Sequence, residues 1–300
     1  MQKTAVLPDN IEVEALQDCD LCGSKDLVFW DRARSNTLSR CKNCGLVFTN
    51  PRIASCQIKG RALYSENYFR QRSRMTEKMI NARKKTYREE ISLLEKLASG
   101  GKILDVGCGT GSFLSSLGDK WEKYGCDIST YAVEEARKKN IRAFYGEFEK
   151  LDFLNTQFDA VYFRASLHHA YSPRLCLKKA YDLLRPGGIV AICMSNNRDG
   201  LAGRLFKAHV RSYEQAHNYI FSTATLKAYL FRSGFSVVDF DYPYWNTGYE
   251  SYRDFLELMP LYIKYLFLCL SSKVNKTGSY DFSSPAFYRN YINIYGRKKG

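Results

Sequence analysis

From residue 102 onward, short apolar runs alternate with stretches whose apolar residues recur every three or four positions. The runs at 102–106, 122–127, 142–145, 157–163, 188–194 and 235–242 read as strands. The periodic stretches at 111–119, 129–139, 173–184 and 222–233 read as helices. Strand and helix in alternation predict a parallel sheet with helices on both faces. Pro186-Gly187-Gly188 marks a tight turn into the fifth strand. The alternating run at 288–295 reads as a closing edge strand.

Ahead of this region, Met75, Met79, Ile80, Tyr87, Ile91, Leu94 and Leu97 recur at near-helical spacing. They predict a long amphipathic helix ending near Leu97, stopped by Ser99-Gly100-Gly101. Its cations, among them Arg70, Arg72, Arg74, Arg83, Lys84 and Lys85, read as a solvated face or as a phosphate-binding one. Two stretches stand outside the alternation, 196–221 and the tyrosine-rich 244–286. Loops of that length in a compact domain carry function, and both are read as a substrate cap. The apolar segment 256–270 is too short to span a bilayer, so it is a buried cap helix or an interfacial one.

Composition adds charge and thiols to this picture. The 300 residues carry a formal net charge of +14, which suits either anionic partners or a basic soluble protein. No apolar run reaches the ~18–20 residues of a membrane span, and the first ten residues lack a secretory apolar core, so a cytoplasmic protein is expected. Four of the ten cysteines form two C-x-x-C pairs, Cys19/Cys22 and Cys41/Cys44, each followed by glycine. Four thiolates in two tight pairs can enclose one Zn²⁺ tetrahedrally. All four positions are then filled by protein, so the predicted ion is structural. The other six cysteines lie in contexts that suit reduced, buried thiols.

The chemistry centres on Lys102-Ile103-Leu104-Asp105-Val106-Gly107-Cys108-Gly109-Thr110-Gly111-Ser112. A dinucleotide fingerprint reads G-x-G-x-x-G, whereas here the third glycine comes one residue early. Asp105 precedes the glycines, where it would repel a pyrophosphate. Both features fit a cationic or zwitterionic cofactor without phosphates. Asp127 ends the next strand, where a carboxylate can accept both ribose hydroxyls.

This order of residues resembles the class I S-adenosylmethionine (SAM)-dependent methyltransferases. Gly146-Glu147-Phe148-Glu149 is similar to that family's adenine-bordering segment. Gln157-Phe158-Asp159-Ala160-Val161 resembles its fourth strand, and the loop Ser166-Leu167-His168-His169-Ala170-Tyr171-Ser172-Pro173 follows as it does there. Leu184-Arg185-Pro186-Gly187-Gly188 resembles the turn into strand five. The four-cysteine ribbon and the Tyr64-Ser65-Glu66-Asn67-Tyr68-Phe69 segment resemble methyltransferases of sugar and surface-polysaccharide pathways. The resemblance implies an α/β, Rossmann-like seven-stranded sheet of order 3-2-1-4-5-7-6 with strand 7 antiparallel. It implies a zinc ribbon over 15–52, a helical connector or lid over 53–100, and a methyltransferase domain over 101–300 with cap insertions at 196–221 and 244–286.

The cofactor set implied is Asp105, Gly107, Cys108, Gly109, Gly111, Asp127, Ile128, Glu147, Phe148 and Arg164, with Cys19, Cys22, Cys41 and Cys44 on zinc. Methyl transfer from a sulfonium is an in-line displacement, and a hydroxyl acceptor must also lose its proton. That suits a histidine. His169 is the first candidate for general base or acceptor positioning, with His168 beside it and His217 second. Tyr171 and Tyr213 are candidate pocket walls. The expected acceptor is a small molecule, a phosphorylated or nucleotide-linked sugar. The alternatives are an RNA methyltransferase, a quinone or lipid methyltransferase in peripheral contact with a membrane, and a SAM-binding scaffold without turnover. The lack of an aromatic–basic recognition motif argues against nucleic acid.

Overall fold

A computed structural model describes residues 12–33, 36–54, 63–73, 76–210, 213, 216–245, 247–248, 250–270 and 288–300. Residues 1–11, the part of the expected cap at 271–286 and the side chains of Arg72, Arg74, Met75 and Met79 lie outside the described residues. The chain begins with β1 (Val13–Glu14), the hairpin β2 (Leu27–Ala33) and β3 (Asn36–Cys41), then β4 (Val47–Thr49) and β5 (Arg52–Ile53). Helices α1 (Glu66–Ser73) and α2 (Glu77–Leu97) follow. The alternating region comprises β6 (Gly101–Val106), β7 (Trp121–Asp127), α3 (Thr130–Arg137), β8 (Arg142–Tyr145), β9 (Phe158–Arg164), α4 (Pro173–Leu183) and β10 (Leu184–Asn196). It continues through α5 (Leu201–Phe206), β11 (Tyr219–Ile220), α6 (Thr223–Arg232), β12 (Phe235–Asp241), α7 (Arg253–Leu270) and β13 (Tyr291–Lys298).

Seven strands form the central sheet in the order β12-β13-β10-β9-β6-β7-β8. Numbered within that sheet, this is 3-2-1-4-5-7-6. The last strand runs antiparallel to both neighbours, and the other pairings are parallel. It is therefore the Rossmann-like methyltransferase sheet. The closing strand does not lie at an edge, because β13 inserts between β10 and β12. Its residues 292–296 are buried, which a hydrophobic alternation alone does not distinguish from an edge.

Period-two alternation divides the core. Ile103, Ala160, Ile189 and Ala191 face one side with Leu94 of α2 and Val133 of α3. Leu104, Val161, Val190 and Ile192 face the other side with Leu177 of α4 and Leu230 of α6. Helix starts are set by serines. Ser172 accepts from the Leu175 N–H at 3.1 Å with Pro173 in the first turn, and Ser222 forms a capping box with Thr225. The helix expected at 111–119 is absent. Only a 3₁₀ turn at Leu114–Ser116 forms there. Ser115 and Ser116 hydroxyls donate back to the Gly111 and Ser112 carbonyls at 2.8 and 3.0 Å, which competes with helix propagation.

The cysteine-bearing strands are built into this body. A four-stranded sheet of order β11-β4-β3-β2 joins them to residues 219–220 of the first cap insertion. Asp20, inside the first C-x-x-C, accepts from the Ser172 hydroxyl at 2.5 Å, the Arg174 N–H at 3.1 Å and the Tyr229 hydroxyl at 2.8 Å. Helix α7 buries Leu258, Tyr265 and Leu268 against Phe206 and Leu38. Its other face exposes Leu256, Ile263, Phe267 and Leu270. Among the described residues no helix is long and apolar enough to cross a membrane.

Candidate functional site

The site opens where the strand order reverses, at the carboxyl ends of β6 and β9, the place where open α/β sheets bind ligands. Gly107, Gly109 and Gly111 all have positive φ, at 78°, 54° and 75°. A Cβ on Gly107 would lie 2.7 Å from Ser166 Cβ, and one on Gly111 would lie 2.4 Å from Ile141 Cδ1. The turn thus packs directly against the loop after β9. Gly107→Ala is expected to cost about 1–3 kcal/mol of stability and to displace that loop. A melting curve unchanged from wild type would refute this.

Asp127 accepts from the N–H of Gly109 and of Ser129, both at 2.9 Å, so it fixes the turn while presenting a carboxylate at the cleft. Burial pushes its pKa up, and those amides pull it back. Asp105 is 2% exposed, and its Oδ1 has no hydrogen-bond partner among the described residues. Burial first, then the charges of Asp127 and Glu90, push its pKa up to about 8, against the pull of Arg164. A buried carboxyl oxygen of this kind suits a cationic ligand group.

The other expected cofactor residues are placed as follows. Cys108 and Phe148 are buried, whereas Ile128 and Glu147 are half-buried at the ends of β7 and β8. Glu147 pairs with Lys150 at 3.0 Å. Arg164 makes a two-point pair with Glu90 of α2, Nε to Oε2 at 2.8 Å and Nη2 to Oε1 at 3.0 Å. The Tyr162 hydroxyl also donates to Glu90 at 2.8 Å. Glu90 escaped the sequence reading because it sits 74 residues from its partner, in an ordinary charged helix.

Residues 64–70 lie over the turn. A methyl on Gly109 would touch Phe69 Cε1 at 3.5 Å, and the Phe69 and Tyr131 ring centres are 6.2 Å apart. Tyr64 reaches the other side, its hydroxyl 3.1 Å from His169 Nδ1. One short segment therefore touches both the glycine turn and the histidine loop.

His168, His169 and His217 converge, with ring centres 4.3, 4.7 and 4.3 Å apart pairwise. His169 Nδ1 lies 3.1 Å from the Ala216 carbonyl, and His217 Nδ1 lies 2.7 Å from the Asn196 amide. Asn218 clips the two loops together. Its N–H donates to His168 O at 2.9 Å, and its side-chain amide donates to the His169 and Ala170 carbonyls at 3.0 Å. Tyr171 is turned to the cysteine module, donating to Ile53 O at 2.6 Å while Arg52 stacks on its ring. Tyr213 is buried under α5.

The four cysteine sulfurs lie within 4.8 Å of one another, with Cys19–Cys44 at 3.4 Å and Cys22–Cys41 at 3.5 Å. A tetrahedron with ~2.3 Å metal–sulfur bonds has sulfur–sulfur edges of about 3.8 Å, so the arrangement fits zinc. Gly23 and Gly45 supply the positive φ of the two knuckles, 73° and 75°.

A family model described as "Methyltransferase domain" matches residues 79–239. The chain belongs to this family. Among curated proteins, this methyltransferase-family chain is 29% identical over 121 residues to an uncharacterized protein of Methanocaldococcus jannaschii, a match covering 40% of the chain and 57% of that protein. It is 26% identical over 181 residues to a demethylmenaquinone methyltransferase of Staphylococcus epidermidis, covering 51% of the chain and 75% of that enzyme. Its fold is similar to that of a possible histamine N-methyltransferase from Thermotoga maritima, with TM-score 0.52, 20% identity, and 78% and 97% of the two chains covered. It is also similar to SAM-bound magnesium protoporphyrin IX methyltransferase from Synechocystis PCC 6803, with TM-score 0.51, 14% identity, and 82% and 99% covered.

Proposed function

We propose that this protein transfers a methyl group from SAM to a hydroxyl of a small-molecule acceptor, a sugar that is nucleotide-linked or part of a glycan intermediate. One observation carries the reading. Residues 64–69 bridge the acid-flanked glycine turn and the histidine cluster, Phe69 lying over Gly109 and Tyr64 reaching His169. Asp127 is suited to the ribose hydroxyls. Asp105 is suited to the ammonium of the cofactor's amino-acid end. The four-cysteine module would hold zinc, which here has the structural role of fixing β4 and, through Thr49, the carbonyl of His217 at 2.7 Å. The sugar acceptor rests on the resemblance of the ribbon and of the 64–69 segment to sugar-pathway methyltransferases.

SAM supplies an already activated methyl group. The enzyme's task is alignment, which can lower the barrier by ~7–11 kcal/mol, together with removal of the hydroxyl proton. With His169 Nδ1–H donating to the Ala216 carbonyl, the ring's lone pair sits on Nε2, the form a base requires. His169→Gln is expected to lower kcat by about 10²–10⁴-fold while leaving SAM affinity within about threefold. Turnover equal to wild type would remove His169 from the mechanism.

Cofactor binding should depend on pH. In the free protein Asp105 holds its proton up to about pH 8. A cationic cofactor favours the carboxylate, so binding releases that proton. SAM affinity should therefore rise by up to ~tenfold per pH unit approaching pH 8 and then level off. Calorimetry across this range should show the rise in wild type and none in Asp105→Asn. Equal slopes in both would contradict the assignment.

A second reading is favoured by the exposed apolar face of α7 and the resemblance to demethylmenaquinone methyltransferases: an apolar acceptor such as a reduced quinone, met at a membrane surface. Release of S-adenosylhomocysteine, measured against nucleotide-linked sugars, glycan intermediates and reduced quinones, separates the two. Release with quinones alone overturns the sugar reading. Tight SAM binding with no release would leave a scaffold.

A further inference from the structure

The three histidines have a property that a single general base does not need. The chain has four histidines. Three of them meet at one point, and the fourth, His209, packs on Tyr265 elsewhere. One ring nitrogen from each of His168, His169 and His217 lies within 4.8 Å of one from each of the others. His168 and His217 are 3% and 6% exposed. His169 is half-buried beside them, so three imidazoles from two loops bring three nitrogen donors to one point.

We propose that His168, His169 and His217 bind a divalent d-block cation of the zinc class, which takes the acceptor's oxygen in an open coordination position. Imidazole donors select such ions over magnesium or calcium. Three protein nitrogens with a further position open is the donor pattern of catalytic zinc, in contrast to the closed four-cysteine set in the same chain. Closure to ~2.0–2.1 Å bonds needs edges of about 3.4 Å between donors, within reach of small ring rotations. The surroundings suit ligation. The Ala216 carbonyl lies 3.1 Å from His169 Nδ1, which leaves that ring's lone pair on Nε2, and the Asn196 side-chain N–H holds the His217 ring at Nδ1, 2.7 Å away. Asn218 and Thr49 hold the backbone on either side.

The ion would lower the pKa of a bound hydroxyl. The hydroxyl proton passes to solvent, the ion taking the place of His169 as the group that drives its loss. The oxygen's electron pair forms the O–CH₃ bond as the S–CH₃ bond breaks. Sulfur keeps that pair, and S-adenosylhomocysteine leaves. This catalytic use rests on the methyl-transfer reading, whereas metal binding does not, so the two fail separately.

The test is metal content of the full chain after equilibration with Zn²⁺, and with Co²⁺ as a spectroscopic probe, followed by removal of unbound ion. Wild type should hold two ions per chain, and His169→Gln and His217→Gln one each, with SAM binding by calorimetry showing that the variants are folded. The wild-type Co²⁺ spectrum needs no variant. It should show the thiolate charge-transfer band of the cysteine site and a second, weaker set of bands without it. One ion in wild type, or two in both variants, overturns the proposal. Full turnover with only the cysteine site filled makes His169 a direct base and likewise ends it, leaving methyl transfer standing.

Discussion

Cys41→Ser is expected to lower the melting temperature by about 10 °C or more and to abolish turnover. Cys41 is fully buried at the end of β3, and its N–H donates to Leu46 O at 2.9 Å, closing the second knuckle. Structural zinc contributes on the order of 10 kcal/mol to small modules, and loss of one thiolate forfeits several of these. For a chain of this size each 1 kcal/mol shifts the midpoint by roughly 2–4 °C. The damage should not stay local. Cys19, Leu21, Cys41 and Phe48 share one core with α4, α6 and the central sheet. The β4–β11 pairing and the Thr49 bond carry the disturbance to His217. The described neighbours of the glycine turn are Phe69, Ala136, Ile141 and Ser166, so SAM affinity should fall less than turnover does. Metal analysis and thermal melting check the first claim, and calorimetry the second. An unchanged midpoint with full zinc content would dismiss the structural role of the ion.

Asp127→Ala is expected to weaken SAM binding by about 10²–10³-fold. The carboxylate is assigned two tasks. It accepts from Gly109 and Ser129 at 2.9 Å each, which holds the turn in its positive-φ form, and in the proposed role it would also accept from the ribose hydroxyls. Hydrogen bonds to a charged group are worth ~1.5–3 kcal/mol each, and buried N–H groups left without an acceptor add a similar cost. A loss of 3–4 kcal/mol corresponds to the stated range. Asp127→Asn keeps the volume and one acceptor oxygen and should fall between. Calorimetry with SAM decides, and affinity within threefold of wild type would show that the acid does not face the cofactor.

The site was legible in uneven measure. Short-range patterns carried the glycine turn, Asp105, Asp127 and the two C-x-x-C pairs, since each is a local geometry written in adjacent residues. The helix expected at 111–119 did not form, because serines that back-bond to the chain read in periodicity as ordinary helix positions. Glu90, Asn196, Asn218 and Asp20 were not legible. Each acts on a partner between 21 and 209 residues away, and none has a distinctive neighbour in sequence. His217 stood out by residue type and by the family resemblance of the stretch it opens, and only the fold shows it touching His168 and His169.

The sequence by itself determined the sheet, its two helical faces and the cofactor turn. Alternation of apolar residues and the φ demands of glycine are properties of a few consecutive residues, and burial selects among them. Tertiary structure decided what surrounds that turn. β13 became an interior strand because its residues are covered on both faces. The cysteine module became part of the catalytic body because β4 pairs with β11 across about 170 residues of chain, where chain entropy sets no preference and only complementary packing can. The gathering of three histidines from two loops has the same origin. It depends on hydrogen bonds from Asn218 and Thr49 that exist only once the sheet has formed.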